Sequence, residues 1–483
     1  MHYRAIVRIL GLLVALFSVT MIPPAVVSVI YQDGSGLPFI LTFIMCVVTG
    51  LGFWYPQRGH RRDLRAKEGF LIVVLFWTVL ASFGAIPFIL LDQPSMTVTD
   101  AFFESFSGLT TTGATVIEGI EFLPHSVQFY RQQLQWLGGM GIIVLAVAIL
   151  PILGVGGMQL YRAETPGPVK DSKMTPRIAD TAKHLWYIYL SLTIACTLAY
   201  WFAGMGWFDA ICHAFSTIAI GGFSTHDASL GYFDSPMVNV VCSIFLLIAA
   251  LNFSLHYAAA ATRSTKGYFN DPEFKAFFVI QASIILICFL VLVLTGYYTD
   301  AEEALDQAMI QAISISTTAG FATTDFAAWP AFLPILLIFA SFIGGCAGST
   351  GGGLKVIRVF LLFLQGKREI DRLIHPKAVY SVKLGERAMP DRVVEAVWGF
   401  FSAYAIVFVV IMIGMIATGL DNLSAFTATA ATLNNLGPGL GSVSVTYSDV
   451  SDAGKWLLVM AMLFGRLEIF SLLVLFSPTF WRS

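Results

Sequence analysis

The chain has 483 residues, of which 57% are apolar and only 12% are charged, against about 25% charged residues in an average soluble domain. Its 28 basic and 30 acidic residues leave a net charge of −2, so no overall basic field points to nucleic-acid binding. This composition excludes a soluble globular protein and predicts an all-α, polytopic membrane protein.

Ten apolar windows are long enough to cross the hydrocarbon layer, which takes about 20 helical residues. Nine carry no charge, and the last contains only Arg466 and Glu468. The first window is too long for the apolar core of a signal peptide, so we expect it to be retained. The windows are 9–32, 34–57, 69–91, 132–161, 184–208, 235–262, 276–299, 326–354, 396–420 and 456–481.

The distribution of basic residues indicates the orientation of the spans. All 28 except Arg131, Lys455 and Arg466 lie at the chain ends or in four connections between windows. These connections are 57–68, 161–183, 261–275 and 355–392. Because basic connections stay on the cytoplasmic side, we expect a multi-pass protein with both termini in the cytoplasm.

A segment rich in Thr, Ser, Ala and Gly follows the third, fifth, seventh and ninth windows, and the four copies align without gaps. They are DAFFESFSGLTTTGAT from Asp100 (segment 1), DAICHAFSTIAIGGFS from Asp209 (segment 2), QAMIQAISISTTAGFA from Gln307 (segment 3) and SAFTATAATLNNLGPG from Ser424 (segment 4). Position 2 is always alanine (Ala101, Ala210, Ala308, Ala425), and position 14 is always glycine (Gly113, Gly222, Gly320, Gly437). Each repeat therefore holds two spans with one segment between them.

The length of each segment favours re-entry into the membrane. About 11 helical residues cover roughly 16 Å, half of the bilayer core, so each segment would descend as a short helix, turn at its glycine and return as extended chain. Non-helical backbone at that depth must be buried in protein or line a water-filled cavity, which four loops around one central pore achieve together. Amphipathic helices lying on the outer surface remain the alternative.

These observations predict four parallel helix–re-entrant pore loop–helix repeats around a central pore, plus two extra N-terminal transmembrane helices. The predicted domains are the N-terminal helices (1–68), pore repeat 1 (69–161), pore repeat 2 (184–262), pore repeat 3 (275–365), a cytoplasmic basic segment (366–392) and pore repeat 4 (393–483).

Such loops suit a monovalent cation. Carbonyl groups without helical partners can replace its hydration shell, and the C-terminal ends of the short helices add a field that attracts cations. Glycine allows backbone angles closed to other residues, while the hydroxyls of Thr110 to Thr112, Thr317 and Thr318 can brace the loops. The predicted ion-binding residues, through their backbone, are Thr111, Thr112, Gly113, Ile220, Gly221, Gly222, Thr318, Ala319, Gly320, Asn435, Leu436 and Gly437.

A glycine-rich stretch lies inside the eighth window, where six glycines in ten residues cannot hold a firm helix. A phosphate-binding loop is disfavoured because the Walker pattern is absent, and close helix packing is the remaining alternative. We expect a mobile intramembrane loop that obstructs the pore. The predicted gate consists of Gly344, Gly345, Cys346, Ala347, Gly348, Ser349, Thr350, Gly351, Gly352, Gly353 and Arg466.

Arg466 lies within the last window, where a charge is costly unless it is paired or hydrated. An ion pair with Glu468, or a side chain reaching the interface, is one interpretation. The other places the guanidinium in an aqueous cavity below the predicted filter, where it repels cations and limits leak. The basic segment 366–392 is the likeliest docking surface for a partner, although positive-inside orientation alone explains most of its charge.

The four repeats, the TTTGAT and TTAGF sequences of segments 1 and 3, and GGCAGSTGGGLK from Gly344 to Lys355 resemble the Trk/Ktr/HKT superfamily of potassium transporters. The extra N-terminal spans narrow the resemblance to the bacterial Trk subunits. It implies potassium as substrate, no cofactor, a homodimer in the bacterial inner membrane, and gating by a cytosolic nucleotide-binding partner, TrkA. Segments 2 and 4 depart from the pattern, with Ile-Gly-Gly and Asn-Asn-Leu-Gly, so we expect only approximate four-fold symmetry.

Two other functions compete with a gated potassium pore. A secondary transporter coupling potassium to protons or sodium would usually carry inverted repeats, whereas all four repeats of this chain start on the cytoplasmic side. An enzyme would need a catalytic cluster, and the sequence offers no nucleophile–base pair or carboxylate dyad. We therefore predict potassium uptake through a carbonyl-lined filter, and no enzymatic activity.

Overall fold

The computed structural model describes residues 2–59, 66–141, 178–330, 332–378, 380–385 and 387–482. Most of the predicted fourth span and of the basic stretch 161–183 lies outside the described residues. The described residues are mostly helical, with one antiparallel hairpin formed by β1 (Lys383–Leu384) and β2 (Arg387–Ala388). The all-α prediction is confirmed.

The α-helices of the described residues range from 4 to 27 residues in length. In the first half of the chain they are α1 (Tyr3–Ser18), α2 (Ile22–Tyr31), α3 (Gly36–Trp54), α4 (Ala66–Leu90), α5 (Val98–Leu109), α6 (His125–Trp136), α7 (Ile178–Phe202), α8 (Trp207–Ala219) and α9 (Pro236–Ala249). In the second half they are α10 (Phe253–Thr262), α11 (Lys266–Asn270), α12 (Pro272–Leu294), α13 (Ala301–Ser316), α14 (Leu333–Ser341), α15 (Val356–Ile374), α16 (Asp391–Ala417), α17 (Asn422–Leu433), α18 (Asp452–Arg466), α19 (Phe470–Phe476) and α20 (Pro478–Trp481).

Within the described residues, six of the ten predicted windows correspond to single apolar helical stretches long enough to span a membrane, and two more correspond to bent helix pairs that are long enough if each pair is one span. Six are single stretches: Tyr3–Tyr31, Gly36–Gln57, Lys67–Leu90, Ala182–Phe202, Pro272–Leu294 and Asp391–Ala417. Two are helix pairs, α9 with α10 and α18 with α19. Of the other two windows, 132–161 is mostly undescribed, and 326–354 contains α14 followed by non-helical chain.

Both helix pairs are sharply bent, so windows 235–262 and 456–481 are not continuous helices. The bend is 90° between α9 and α10 and 116° between α18 and α19. At the first, Asn252 caps α10 by accepting from the Ser254 amide at 2.8 Å. At the second, Glu468 and Ile469 have φ values of 51° and 52°, which no α-helix accommodates.

The first two spans pack through small residues. Gly11 of α1 faces Gly50 of α3, and a Cβ at either glycine would lie 2.7 Å from the carbonyl oxygen of the other. Only glycine permits this approach, as in other membrane helix pairs. Since these helices precede the repeats, the contact belongs to the N-terminal pair.

Four short helices, α5, α8, α13 and α17, contain the first part of segments 1 to 4. With 12, 13, 16 and 12 residues, each is shorter than the bilayer core. Three begin at a side-chain cap, provided by Thr97, Asp300 and Asp421. Hydrogen bonds from Ser424 lower the pKa of Asp421 and so keep that cap ionised. Their position 2 alanines are completely buried, which explains that invariant column.

Candidate functional site

The four segments repeat one backbone conformation as well as one sequence pattern. At position 12 the chain turns left-handed, with φ of 56° at Thr111, 54° at Ile220, 72° at Thr318 and 55° at Asn435. At position 14 the glycines have φ of 80° at Gly113, 80° at Gly222, 83° at Gly320 and 102° at Gly437. Non-glycine residues rarely adopt positive φ, so four equivalent departures indicate one geometry used four times.

Each segment stabilises this turn by itself. The amide of position 13 donates to the carbonyl of position 8, five residues earlier. The donor and acceptor are Thr112 and Ser107 (2.8 Å), Gly221 and Ser216 (2.8 Å), Ala319 and Ser314 (2.8 Å), and Leu436 and Ala431 (2.7 Å). These bonds close the end of each short helix within its own segment.

The glycines and carbonyls of neighbouring segments meet in a closed cycle. A Cβ atom at each position 14 glycine would lie only 2.0 to 2.7 Å from the position 13 carbonyl oxygen of the next segment. The glycine and the oxygen's residue are Gly113 and Gly221 (2.1 Å), Gly222 and Ala319 (2.0 Å), Gly320 and Leu436 (2.1 Å), and Gly437 and Thr112 (2.7 Å). We call positions 12 to 14 of the four segments the ring. It contains all twelve residues predicted to bind the ion.

Different side chains support the ring in each segment. In segment 1 the Thr110 and Thr112 hydroxyls lie 2.8 Å apart, and Asn435 of segment 4 donates to Thr112 at 3.0 Å. In segment 3 the Ser314 hydroxyl donates to the Phe321 carbonyl at 2.7 Å. In segment 4 the Tyr447 hydroxyl donates to the Gly437 carbonyl at 2.8 Å. The backbone repeats while its supports do not.

Beyond the ring, a buried ion pair joins segments 1 and 2. Arg131 of α6 bonds Glu104 of α5 at 2.8 Å, and both side chains are completely buried. The same guanidinium donates to Thr115 Oγ1 at 3.1 Å and to the Ser224 carbonyl at 3.2 Å. The sequence analysis did not predict this role for Arg131. The composition of α6 (HSVQFYRQQLQW) could have indicated a buried polar role, because this helix is strongly polar in an otherwise apolar chain.

The predicted gate residues Gly344 to Gly353, which we call the glycine loop, lie against three of the four segments. Thr350 Oγ1 donates to the Ile218 carbonyl of segment 2 at 3.0 Å. The Gly352 amide donates to Thr318 Oγ1 of segment 3 at 2.7 Å. The Gly353 amide donates to the Asn434 carbonyl of segment 4 at 3.0 Å. The loop therefore lies beside the ring at the end where the short helices terminate.

Other bonds hold the glycine loop from outside. The Cys346 amide donates to the Ala250 carbonyl at 2.8 Å, at the bend between α9 and α10. Glu273, at the start of α12, accepts from the Ala347 amide at 2.7 Å and from the Ile357 amide at 3.1 Å. Lys355 donates to the Gly351 carbonyl. The sequence reading did not single out Glu273 or Lys355.

Arg466 joins the loop to segment 1. Its guanidinium donates to Thr111 Oγ1 at 3.2 Å and to the Thr350 carbonyl at 3.2 Å. It also donates to the carbonyls of Gly138 and Gly139. Glu468, the partner considered from the sequence, pairs with Arg358. α18 ends at Arg466, so Arg466 and Glu468 do not lie on one continuous helix, and the ion pair between them is not formed.

The charges around the ring follow from these placements. All four short helices end within three residues of the ring, and a helix C-terminus carries a partial negative charge of about −0.5. The positive charge of Arg131 is balanced by Glu104. The guanidinium of Arg466 contacts the ring from the side of the glycine loop. The arrangement therefore combines a field that favours cations with two positive groups on the loop side, Arg466 and Lys355.

Comparisons with known proteins identify the family and the overall fold of the chain. The model of the TrkH family, described as a cation transport protein, matches residues 36–483. The Trk system potassium uptake protein TrkH of Vibrio parahaemolyticus is 66% identical over the full length of both chains, and that of Salmonella typhimurium is 63% identical, also over the full length of both. The crystal structure of the potassium transporter TrkH from Vibrio parahaemolyticus superimposes with a TM-score of 0.92 and 63% identity, covering both chains completely.

Proposed function

Since the chain belongs to the TrkH family of cation transport proteins, we propose that it takes up potassium through the ring. The family is one of transporters rather than enzymes, as the sequence predicted. The observation that carries the proposal is the closed cycle of contacts among positions 13 and 14 of the four segments. Four quasi-equivalent segments that meet in a cycle can surround one ion.

In this proposal the main-chain oxygens of the ring replace the water around the ion. Potassium fits because carbonyl dipoles compensate its modest dehydration cost. The negative ends of the four short helices favour a cation over an anion. The residues that bind potassium are the twelve of the ring, through their backbone. Chemistry of this kind needs no cofactor, and potassium is the substrate.

The glycine loop and Arg466 form the gate. The loop's bonds to segments 2, 3 and 4, and the bonds of Arg466 to segment 1 and to Thr350, support a closed arrangement below the ring. Opening then requires these bonds to break together. The ring is left intact, because each of its turns is closed within its own segment.

Opening is driven from the cytoplasm by a nucleotide-binding partner of the TrkA type, as the family resemblance implies. The basic segment 366–392 follows the glycine loop along the chain, so a partner docked there would act on the loop through α15. The protein lies in the bacterial inner membrane as a homodimer with both termini in the cytoplasm. The positive-inside distribution of Lys and Arg supports that orientation.

Purified protein in liposomes tests the proposal. With a potassium gradient and no proton or sodium gradient, we expect rubidium-86 uptake that potassium competes for and sodium does not. A reversal potential that follows the potassium gradient alone supports a pore. A reversal potential that shifts with the proton or sodium gradient would instead favour a coupled secondary transporter. If liposomes that also contain the partner show no rubidium uptake that potassium competes for, the proposal is contradicted.

A further inference from the structure

Segment 2 lacks a side chain where the other three segments have one. Position 13 is Thr112 in segment 1, Ala319 in segment 3 and Leu436 in segment 4, but Gly221 in segment 2. The φ of Gly221 lies outside the left-handed region, so its backbone conformation does not demand glycine. A different constraint must account for it.

That constraint is the side chain of Gln135, from α6. A Cβ at Gly221 would lie 2.5 Å from Gln135 Cδ, 2.5 Å from its Oε1 and 2.9 Å from its Nε2. The side chain of Gln135 is completely buried in this space. A residue from outside the segment thus occupies the place that the segment's own side chain leaves empty.

Gln135 also holds the backbone on both sides of Gly222. Its Nε2 donates to the Gly221 carbonyl at 2.6 Å, and its Oε1 accepts from the Phe223 amide at 3.0 Å. A side-chain amide carries its donor and its acceptor on separate atoms, so it can bond two backbone groups at once. Both bonds are buried, where an unmade hydrogen bond is costly.

The Gly221 oxygen that Gln135 contacts belongs to the ring. It lies beside Gly113, where a Cβ would approach it to 2.1 Å. A carbonyl oxygen has two lone pairs, so the bond from Gln135 leaves one for an ion. The position of this oxygen is therefore set jointly by segment 1 and by Gln135.

We propose that Gln135 is a positioning residue for the second segment, which fixes the direction of the Gly221 carbonyl and thereby the preference of the ring for potassium over sodium. This rests on the proposed function, since it assigns the Gly221 oxygen to the ion path. Gln135 itself does not contact the ion. It acts through the carbonyl it holds.

The first test compares matched substitutions on α6. Gln135→Glu keeps the size and the acceptor but loses the donor to Gly221, and Gln135→Leu loses both bonds. Gln133→Glu is the control, because Gln133 is also buried on α6 but donates to the Thr20 carbonyl at 2.7 Å, away from the ring. The readout is the potassium-to-sodium permeability ratio in liposomes, with elution volume and melting temperature as measures of folding.

We expect both Gln135 variants to lower the permeability ratio about tenfold, the factor that a difference of about 1.4 kcal/mol produces. The Gln133 control should keep the wild-type ratio. A wild-type ratio in folded Gln135→Glu protein overturns the proposal for Gln135 while leaving the proposed function intact. A wild-type protein that does not select potassium overturns the proposed function itself.

A pair of substitutions across the contact gives a second test. Gly221→Ala places a methyl group against Gln135 and should reduce selectivity. Adding Gln135→Ala should lower the ratio little further, because both substitutions disrupt the same contact. Two losses that add fully would show that Gln135 and Gly221 act independently, and that outcome would refute the proposal.

Discussion

The ring and the glycine loop both replace helix with glycine-containing chain, but they are held in opposite ways. In the ring, each turn is closed by a bond within its own segment, such as Thr112 to Ser107. In the loop, Ser349 bonds the Cys346 carbonyl locally, but other bonds run to separate elements, including Ala250 and Glu273. A turn closed by bonds within its own segment stays closed when other elements move. A loop bonded to distant elements is released when those elements move.

The glycines of the ring and of the loop also differ in what they contact. In the ring, each position 14 glycine makes room for the position 13 oxygen of the next segment, so the same contact occurs four times. In the loop, a Cβ at Gly352 would lie 1.9 Å from the Asn434 oxygen, and a Cβ at Gly344 would lie 2.1 Å from the Gly352 oxygen. These contacts occur once each. The comparison therefore predicts that damage to the ring costs selectivity or folding, whereas damage to the loop costs closure.

The largest expected effect falls on the support of the ring. Glu104→Ala leaves the Arg131 charge buried without its carboxylate and should lower the stability of the protein by about 3–5 kcal/mol. Thermal unfolding in detergent, followed by tryptophan fluorescence and by elution volume, measures the loss. Glu369→Ala is the control, because Glu369 pairs with Arg372 at the surface, with half of its side chain exposed, and such pairs contribute about 1 kcal/mol at most. Equal effects of the two substitutions would show that the buried pair does not support the ring.

The next effect concerns selectivity. Gly113→Ala forces a positive φ on alanine, at a cost of about 1–3 kcal/mol, and pushes a methyl group onto the Gly221 oxygen. We expect the potassium-to-sodium permeability ratio to fall at least about tenfold. Gly52→Ala in α3 is the control, since no atom lies within 4 Å of that position. An unchanged ratio in folded Gly113→Ala protein would break the link between the ring and ion choice.

Damage to the loop should act on flux instead. Deleting residues 346–352 removes the bonds to Ile218 and Thr318 and should raise rubidium flux without the partner by about tenfold, equivalent to about 1.4 kcal/mol of closing free energy. The milder Thr350→Val should raise it less, and Thr262→Val, whose hydroxyl bonds Ala258 on the exposed α10, should not change it. Flux no higher than in the intact protein, with unchanged selectivity, would mean that the loop is not a gate.

The smallest expected effect belongs to the contact between the two regions. Arg466→Ala removes the positive charge between ring and loop and should raise single-channel conductance about two- to threefold, corresponding to about 0.5 kcal/mol of screened repulsion. Arg466→Lys keeps the charge and should stay near the wild-type conductance. A folded alanine variant with lower conductance would assign Arg466 a role in supporting the ring rather than in limiting leak.

The repeats could be found from the sequence because each segment determines its own turn. The short helix and the glycine at position 14 could be recognised because four copies repeat them. The left-handed residue at position 12 was not predicted, because its type differs among the segments. Eight of the ten predicted windows match single helical stretches or bent helix pairs for the same reason, since span length depends on local composition.

The supports of the ring could not be found in that way, because they join residues far apart in the chain. Arg131 and Glu104 are 27 residues apart, and Gln135 and Gly221 are 86 apart. The bends at Asn252 and Glu468 were also missed, since they depend on contacts with the glycine loop and on local φ values that composition does not encode. A single polar helix, α6, was the available clue.

The most direct measurement is anomalous diffraction from crystals grown with rubidium in place of potassium, recorded at the rubidium absorption edge. We predict a peak enclosed by the main-chain oxygens of positions 12 to 14 in all four segments, weakened in the Gly113→Ala variant. A ring without rubidium, in crystals of protein that takes up rubidium in liposomes, would contradict the claim that these carbonyls bind the ion.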